Sequence, residues 1–378
     1  MTLNLTLLGS KIADYRNELR DSIEDVALAT GIDLSRIVKI ESGSIEPTGD
    51  EILILSDYFR CDYKVFITNE PIPSASSIQA LYRSKNDDFS KEDRRAIRDF
   101  IYLCEIEQEL SKALGKIPKS FTFTPSGAIS NQAVQAASAV RDRLEHQNRE
   151  FPRNVFDDCR RLGIHVFRRR LHDSNISGLF IVHPNAGNCI LVNSCEDMYR
   201  QRFSAAHELA HSIFDTGTVA SVSLHTERQK PIEQRANEFA SAYLMPPELL
   251  RQLPNPSNWN DDDAKRWANK FGVSCDAMGI ALLNAKLVNY SVSKRIRKLR
   301  VPTAEKVDPE IPISLTKTQR KQKTALLELG LSDYYVSLSF DAHREGIISV
   351  GCLAEVLLLT PPELREVAIL YGRTIHGH

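Results

Sequence analysis

The first 67 residues carry apolar side chains at helical spacing, and Ile12, Leu19, Val26, Ala27, Ile37, Ile40, Ile52, Leu55 and Phe59 can converge on one small core. Cap signals punctuate this stretch. Ser22-Ile-Glu-Asp25 and Thr48-Gly-Asp-Glu51 have the form of capping boxes, while Gly31 and Gly43 are natural helix stops. The pattern predicts five short helices over 8–67, two of which, 23–30 and 34–42, flank a Gly-centred turn in the layout of a helix-turn-helix. A Pro-containing linker (68–75) comes next. Ile97, Phe100, Ile101, Cys104 and Ile106 then predict one long helix over 91–114, opened by Ser90-Lys-Glu-Asp93 and closed by Gly115, which reads as an interdomain brace. After a turn-rich break at 116–130, residues 131–150 and 153–161 again have helical spacing.

From Gly163 the period shortens. Residues 164–167, 176–182 and 189–193 are short β-branched or aromatic runs bounded by Gly, Asn and Pro, and are expected as three strands. A helix over 201–214, a polar loop at 215–230, a helix over 232–244 and further helix over 259–288 complete this part. Residues 292–323 hold ten Lys or Arg against three Asp or Glu, which suggests a basic tether. The last 50 residues read as three short helices, with Thr360-Pro-Pro-Glu363 opening the final one. The expected division is an N-terminal all-α module (1–70), a helical brace (71–130), an α+β core (131–290), a basic linker (291–323) and a small C-terminal helical domain (324–378). The fold class is therefore multidomain and mainly α.

A chain of 378 residues needs more than one core, and 42% hydrophobic with 26% charged residues excludes a disordered or fibrous protein. No run approaches the ~18 apolar residues of a membrane span, and no export signal is legible, so no membrane partner is expected. Seven scattered cysteines without a CxxC pair argue against a disulfide framework and for a reducing cytoplasm. The net charge of −1 leaves nucleic-acid binding to a local patch. The N-terminal module does not supply an obvious one. Between residues 9 and 67, seven basic residues face twelve acidic ones, and the second helix of the pair offers only Ser35, Arg36 and Lys39, with Asp33 at its start. Weak DNA binding is expected there, with protein docking the main role.

The candidate chemistry lies in Phe203-Ser-Ala-Ala-His207-Glu208-Leu-Ala-His211-Ser-Ile-Phe214. Histidines four apart share a helix face and can offer two imidazoles to one metal ion, while Glu208 beside them can serve a water molecule as general base. The next helix brings Glu233 and Glu238 as rival third ligands. They lie five residues apart, about 140° round a helix, so both cannot face the metal. His225 and Glu227 in the intervening loop are further candidates, and Asn237 is expected to support a ligand or pack the helix. The oxyanion donor is left open among Tyr243, His225 and Arg235. His165, His172 and His183 read as satisfied or solvated histidines, and Cys189 and Cys195 lack a nucleophile's partner. The strand 189–193 is expected either at the sheet edge above the metal, where it could take an extended substrate by β-augmentation, or in the sheet centre.

Two resemblances bear on these readings. Val26-Ala-Leu-Ala-Thr-Gly31 followed by Ser35-Arg-Ile-Val-Lys-Ile-Glu-Ser-Gly43 resembles the XRE or Cro type of phage-repressor domain. Arg200-Gln-Arg-Phe203 leading into the His-Glu helix, then Glu233-x-x-Ala-Asn237-x-Phe-Ala240-x-x-x-Leu-Met-Pro246, resembles the ImmA/IrrE family of metallo-endopeptidases over about 150–285. Tyr243 stands where that family often has Leu. The resemblance implies a minimal, gluzincin-like zincin core, zinc held by His207, His211 and Glu233, and Glu208 as base. It also implies a protein substrate of the helix-turn-helix repressor kind, in a stress-response, mobile-element or toxin–antitoxin-like module. The alternative is a DNA-binding regulator, for which a homodimer would be suited, whose zincin domain serves as sensor or dimerisation unit.

Overall fold

The computed structural model describes residues 3–69, 81–82, 89–126, 129–146, 151, 154–173, 175–215, 220–224 and 231–375. Its N-terminal module is built from α1 (Leu5–Glu18), α2 (Ile23–Thr30), α3 (Leu34–Glu41), α4 (Gly49–Phe59) and α5 (Lys64–Ile67). Both capping boxes form: Ser22 exchanges bonds with Asp25, and Thr48 with Glu51. Gly31 ends α2 in the left-handed region at φ 72°, which an L side chain adopts only with strain. Leu8, Ile12, Val26, Ile37, Ile40, Leu55 and Phe59 fill the core. Gly9 lets α1 cross α3 closely, since a Cβ there would lie 2.4 Å from the Glu41 carbonyl oxygen.

The brace is α6 (Lys91–Ala113), capped by Ser90. One flank grips the N-terminal module: Arg94 donates to the Glu18 carbonyl at 2.8 Å, Arg98 to the Phe59 carbonyl at 3.0 Å, and Arg95 to Asp21 at 2.7 Å. Its other flank grips the first strand of the α+β core and the loop after it. Asp99 pairs with Arg169 at 2.7 Å, Asp93 accepts the His172 backbone N–H at 2.6 Å, and Glu107 pairs with His165 at 2.7 Å. Burial alone would depress the His165 imidazole, but the Glu107 hydrogen bond and charge win and lift it to about 8.

Behind α7 (Ile129–Arg143) and α8 (Val155–Arg161), β1 (His165–Arg169), β2 (Ile176–His183) and β3 (Gly187–Asn193) enter a four-stranded sheet completed by β4 (Ala220–Leu224) after α9 (Met198–Phe214). The order is β1-β3-β2-β4, with β1 and β3 parallel and the other pairs antiparallel. Alternation along the strands divides the core in two. Val166, Phe180, Ile190 and Val192 face α9 and α10 (Pro231–Leu244), whereas Phe167, Leu179, Ile181 and Leu191 face the brace and the C-terminal helices. Two expectations fall here. The strand 189–193 is interior, between β1 and β2, so it presents no free edge. The polar loop expected at 215–230 contains β4, and β4 is the edge strand beside β2.

The short α11 (Pro247–Leu250) leads to α12 (Asp261–Phe271) and α13 (Cys275–Asn284), which Gly272 separates at φ 65°. The basic tether is not a tether. It begins as α14 (Tyr290–Arg297), packed on α13 through Ser293, whose hydroxyl donates to the Gly279 carbonyl at 2.8 Å. It then plants a carboxylate under the sheet. Glu310 meets Arg160 at 2.8 Å and Arg168 at 3.2 Å, and all three are at most 7% exposed. Burial would raise the Glu310 carboxyl, yet the two guanidinium groups hold it below the usual range. Glu310→Ala is expected to take this carboxylate from buried Arg160, while Arg168 keeps Asp308 at 2.7 Å, lowering unfolding stability by roughly 3 kcal/mol, the low end for a broken buried pair. Urea denaturation reads this directly, and a loss below about 1 kcal/mol would show the strap to be dispensable.

The remaining helices, α15 (Lys317–Glu328), α16 (Asp333–Arg344), α17 (Val350–Val356) and α18 (Pro361–Leu370), do not close a core of their own. Leu331, Tyr335, Val336, Phe340, Leu353 and Leu364 pack with Phe100, Leu103, Phe167 and Leu191, so the C-terminal segment seals the far face of the sheet.

Candidate metal centre

Helix α9 is wedged between the sheet and α10. Ala205, Ala206, Leu209 and Ala210 are at most 1% exposed, and these mostly small residues bring the helix backbone close to its neighbours. That places His207 and His211, one turn apart, against Glu233 in the first turn of α10. His207 Nε2 lies 3.1 Å from His211 Nε2 and 3.1 Å from Glu233 Oε2, and His211 Nε2 lies 3.5 Å from Glu233 Oε1. Among the described residues these three form the one His/Cys/Asp/Glu group able to hold a metal ion, with ligand atoms within 4.8 Å of one another.

The other ring nitrogens decide what this cluster can do. His207 Nδ1 meets Asn237 Oδ1 at 3.1 Å, and His211 Nδ1 meets Asp215 Oδ2 at 2.8 Å. Both partners are acceptors, so the Nδ1 atoms carry the protons and both Nε2 atoms turn bare lone pairs inward. Two imidazole lone pairs and a carboxylate then converge on one point. Such a set repels itself unless a cation sits at its centre, and His2Glu with an open position is a zinc donor set. Asp215 is itself held by Arg235 at 2.5 Å, and the Arg235 guanidinium lies over the Phe214 ring. These outer contacts fix the imidazole orientation.

Glu208 stands about 100° round α9 from His207, turned towards β2 and β4, borders the same small cavity as His207 and Glu233, and is fully buried. Burial pushes its carboxyl up to about 7; His211 and the Ser223 hydroxyl pull down and Glu233 pushes up, all less strongly. A general base poised near neutral pH needs such a value. Gly178 on β2 makes room for it, since a Cβ there would lie 3.0 Å from Glu208 Oε1 and 3.1 Å from its Cγ. Ser177, Ser204, His207, Glu208, Ser223 and Glu233 border a cavity of about 30 Å3, enough for one or two water molecules.

The other candidates are distributed otherwise. Glu238 is exposed and outside the cluster. Tyr243 is fully buried and donates to Asp158 at 2.5 Å, which removes it from the oxyanion donors. Arg235 is committed to Asp215, and His225 and Glu227 lie outside the described residues. His165 and His183 are buried, and His172 is exposed. Cys189 is buried and Cys195 exposed, neither near the cluster. Asp215 and β4 are the parts that sequence reasoning missed. The spacing of Asp215, four residues after His211 on the same helix face, was the available signal.

The N-terminal module shows an equally specific surface. Arg36 is clamped by both carboxylate oxygens of Glu51, and the Ser35 hydroxyl donates to Asp33 at 2.6 Å. Lys39 remains exposed, flanked by the exposed apolar residues Leu34 and Val38.

Two histidines a turn apart on one helix, Glu233 facing them from the next and a buried glutamate beside an antiparallel edge strand give the α+β core the layout of a minimal zincin. Residues 159–283 match the model of the IrrE N-terminal-like domain, a peptidase family, and residues 12–66 match that of a helix-turn-helix domain. The chain thus carries an ImmA/IrrE-like peptidase domain behind an XRE-type module. A search of the curated proteins finds no match to it. No described helix is long and apolar enough to cross a membrane.

Proposed function

We propose that this protein is a zinc-dependent endopeptidase that makes a limited cut in a protein partner in the cytoplasm, the partner being a repressor-type helix-turn-helix regulator of a stress-response, mobile-element or toxin–antitoxin-like module. The observation that carries the reading is the inward convergence of two bare imidazole nitrogens on Glu233, with Glu208 buried beside the same small cavity. His207, His211 and Glu233 would hold the zinc ion, which when bound polarises a peptide carbonyl and acidifies a water molecule. Glu208 takes the proton of the attacking water and returns it to the leaving amine. Asn237 and Asp215 keep both imidazoles in the tautomer that ligation requires. The outer edge of β4, unpaired among the described residues, is suited to hold an extended substrate through backbone hydrogen bonds, a role that the interior strand 189–193 cannot fill.

The test combines metal content with product mapping. Mass spectrometry is expected to find one zinc per chain in the wild type and none in His207→Ala. Labelling of new protein N-termini in cells expressing the wild type, but not Glu208→Gln, should mark a helix-turn-helix regulator. Zinc retained by His207→Ala would sink the ligand assignment.

The helix-turn-helix match keeps a second reading alive, a DNA-binding regulator whose peptidase domain serves as sensor. The clamped Arg36 and the acidic excess of the module speak against tight autonomous binding, since phosphate neutralisation supplies most of the affinity. Titration of the 1–70 fragment at ~0.15 M salt, where surface charge is already screened, is expected to give no specific binding tighter than micromolar. Submicromolar specific binding lost on Lys39→Ala would favour the regulator reading.

A further inference from the structure

A cavity of about 580 Å3 opens beside the metal cluster, between the first turns of α9, the middle of α10 and the start of α13. That volume falls in the range of ligand-binding clefts and exceeds the cavity beside Glu208 many times over. Most of the surface turned into it is apolar, although charged residues such as Asp197, Glu238, Asp276 and Lys306 also line it. Phe203 comes from α9, Val273 from the turn before α13, Ala277 and Ile280 from α13, and Val301 from the segment after α14. Ala277 and Ile280 lie three residues apart, on one helix face, and Ile280 is 36% exposed although it faces this concavity. Arg300 stands at the mouth and donates to the carbonyls of Arg297 and Leu299, so its charge neutralises no carboxylate among the described residues.

This cavity and the small one are continuous in their lining. Arg200, Phe203 and Asn237 border both, and Asn237 is the acceptor for His207 Nδ1. A peptide laid across the metal cluster therefore passes the mouth of the apolar cavity within a few residues of the bond presented to Glu208. Resting on the endopeptidase reading, we propose that this cavity is the subsite that selects the cleavage position, taking a large apolar side chain such as Leu, Met or Phe from within three residues of the scissile bond. The occupant is the substrate segment itself, because the cavity shares Arg200, Phe203 and Asn237 with the small cavity at Glu208, and Asn237 bonds His207 directly. Complete burial of such a side chain favours its binding over Ala by about 10- to 100-fold.

The test is a binding measurement that needs no turnover. The zinc-loaded full chain bearing Glu208→Gln is equilibrated by dialysis with acetylated hexapeptide-amide mixtures, in each of which one position is fixed as Leu, Phe or Ala and the others are varied. Fixing Leu or Phe at one particular position is expected to raise bound peptide at least tenfold over Ala. Ile280→Trp in the same background narrows the cavity at its α13 wall and should cut that preference to below twofold while zinc content stays at one per chain. Ala277→Leu is the second narrowing variant, used if Ile280→Trp lowers the melting temperature. Absence of any Leu or Phe preference, or a preference that survives both substitutions, overturns the subsite. Failure of the endopeptidase reading looks different: wild type and Glu208→Gln would leave the same set of protein N-termini in cells although the apolar binding preference persisted.

Discussion

Glu208→Gln is expected to keep one zinc per chain and to lose at least about 100-fold in peptide cleavage, the lower end of what a positioned general base contributes. The substitution preserves shape, so the Gly178 pocket that accepts the carboxylate also accepts the amide. It removes only the capacity to take a proton. The glutamate is not among the three converging side chains able to hold a metal, so metal affinity should be unchanged. Metal analysis and cleavage assays on the same preparation separate the two effects. Full activity in this variant would mean that the water is activated elsewhere, and the proposed role of Glu208 would fall.

Glu233→Ala is expected to lower zinc affinity by more than the roughly 10- to 100-fold that a supporting residue around a metal site is worth, because it removes a ligand outright. It also leaves two imidazoles, too few to complete a tetrahedral site without help from solvent. Glu238→Ala should leave affinity unchanged, since that side chain is exposed and stands outside the ligand cluster. Competition with a chelator of known affinity measures both. The reverse outcome would transfer the third ligand to Glu238.

Local chemistry is legible in the chain, and long-range pairing is not. Helices α2 and α4 can be bounded because Ser22, Asp25, Thr48 and Glu51 act within one turn of themselves. The histidine pair is visible for the same reason. The strand β4 escapes the pattern because Ala-Ser-Val-Ser-Leu is short and half polar, and its identity depends on β2 across the sheet. The central place of β3 is likewise a property of its two neighbours, which no pattern within Gly187–Asn193 contains. Glu310 shows the sharpest limit. An acid in a segment rich in lysine and arginine reads as solvated, yet its partners Arg160 and Arg168 arrive from about 150 residues earlier. The Asp215–Arg235 support of His211 has the same character, because Arg235 comes from a different helix.

The clamping of α6 at both flanks has a consequence for geometry. Arg94, Arg95 and Arg98 lock one side of this helix to the N-terminal module, while Asp93, Asp99 and Glu107 lock the other to β1 and the loop after it. The module and the metal cluster are thereby parts of one frame, and the span between them is set by side-chain hydrogen bonds to backbone groups together with ion pairs. A partner gripped at one and cut at the other is measured as by a ruler. Lengthening the partner between its grip and its cleavage point would then shift the cut along its sequence by the inserted length.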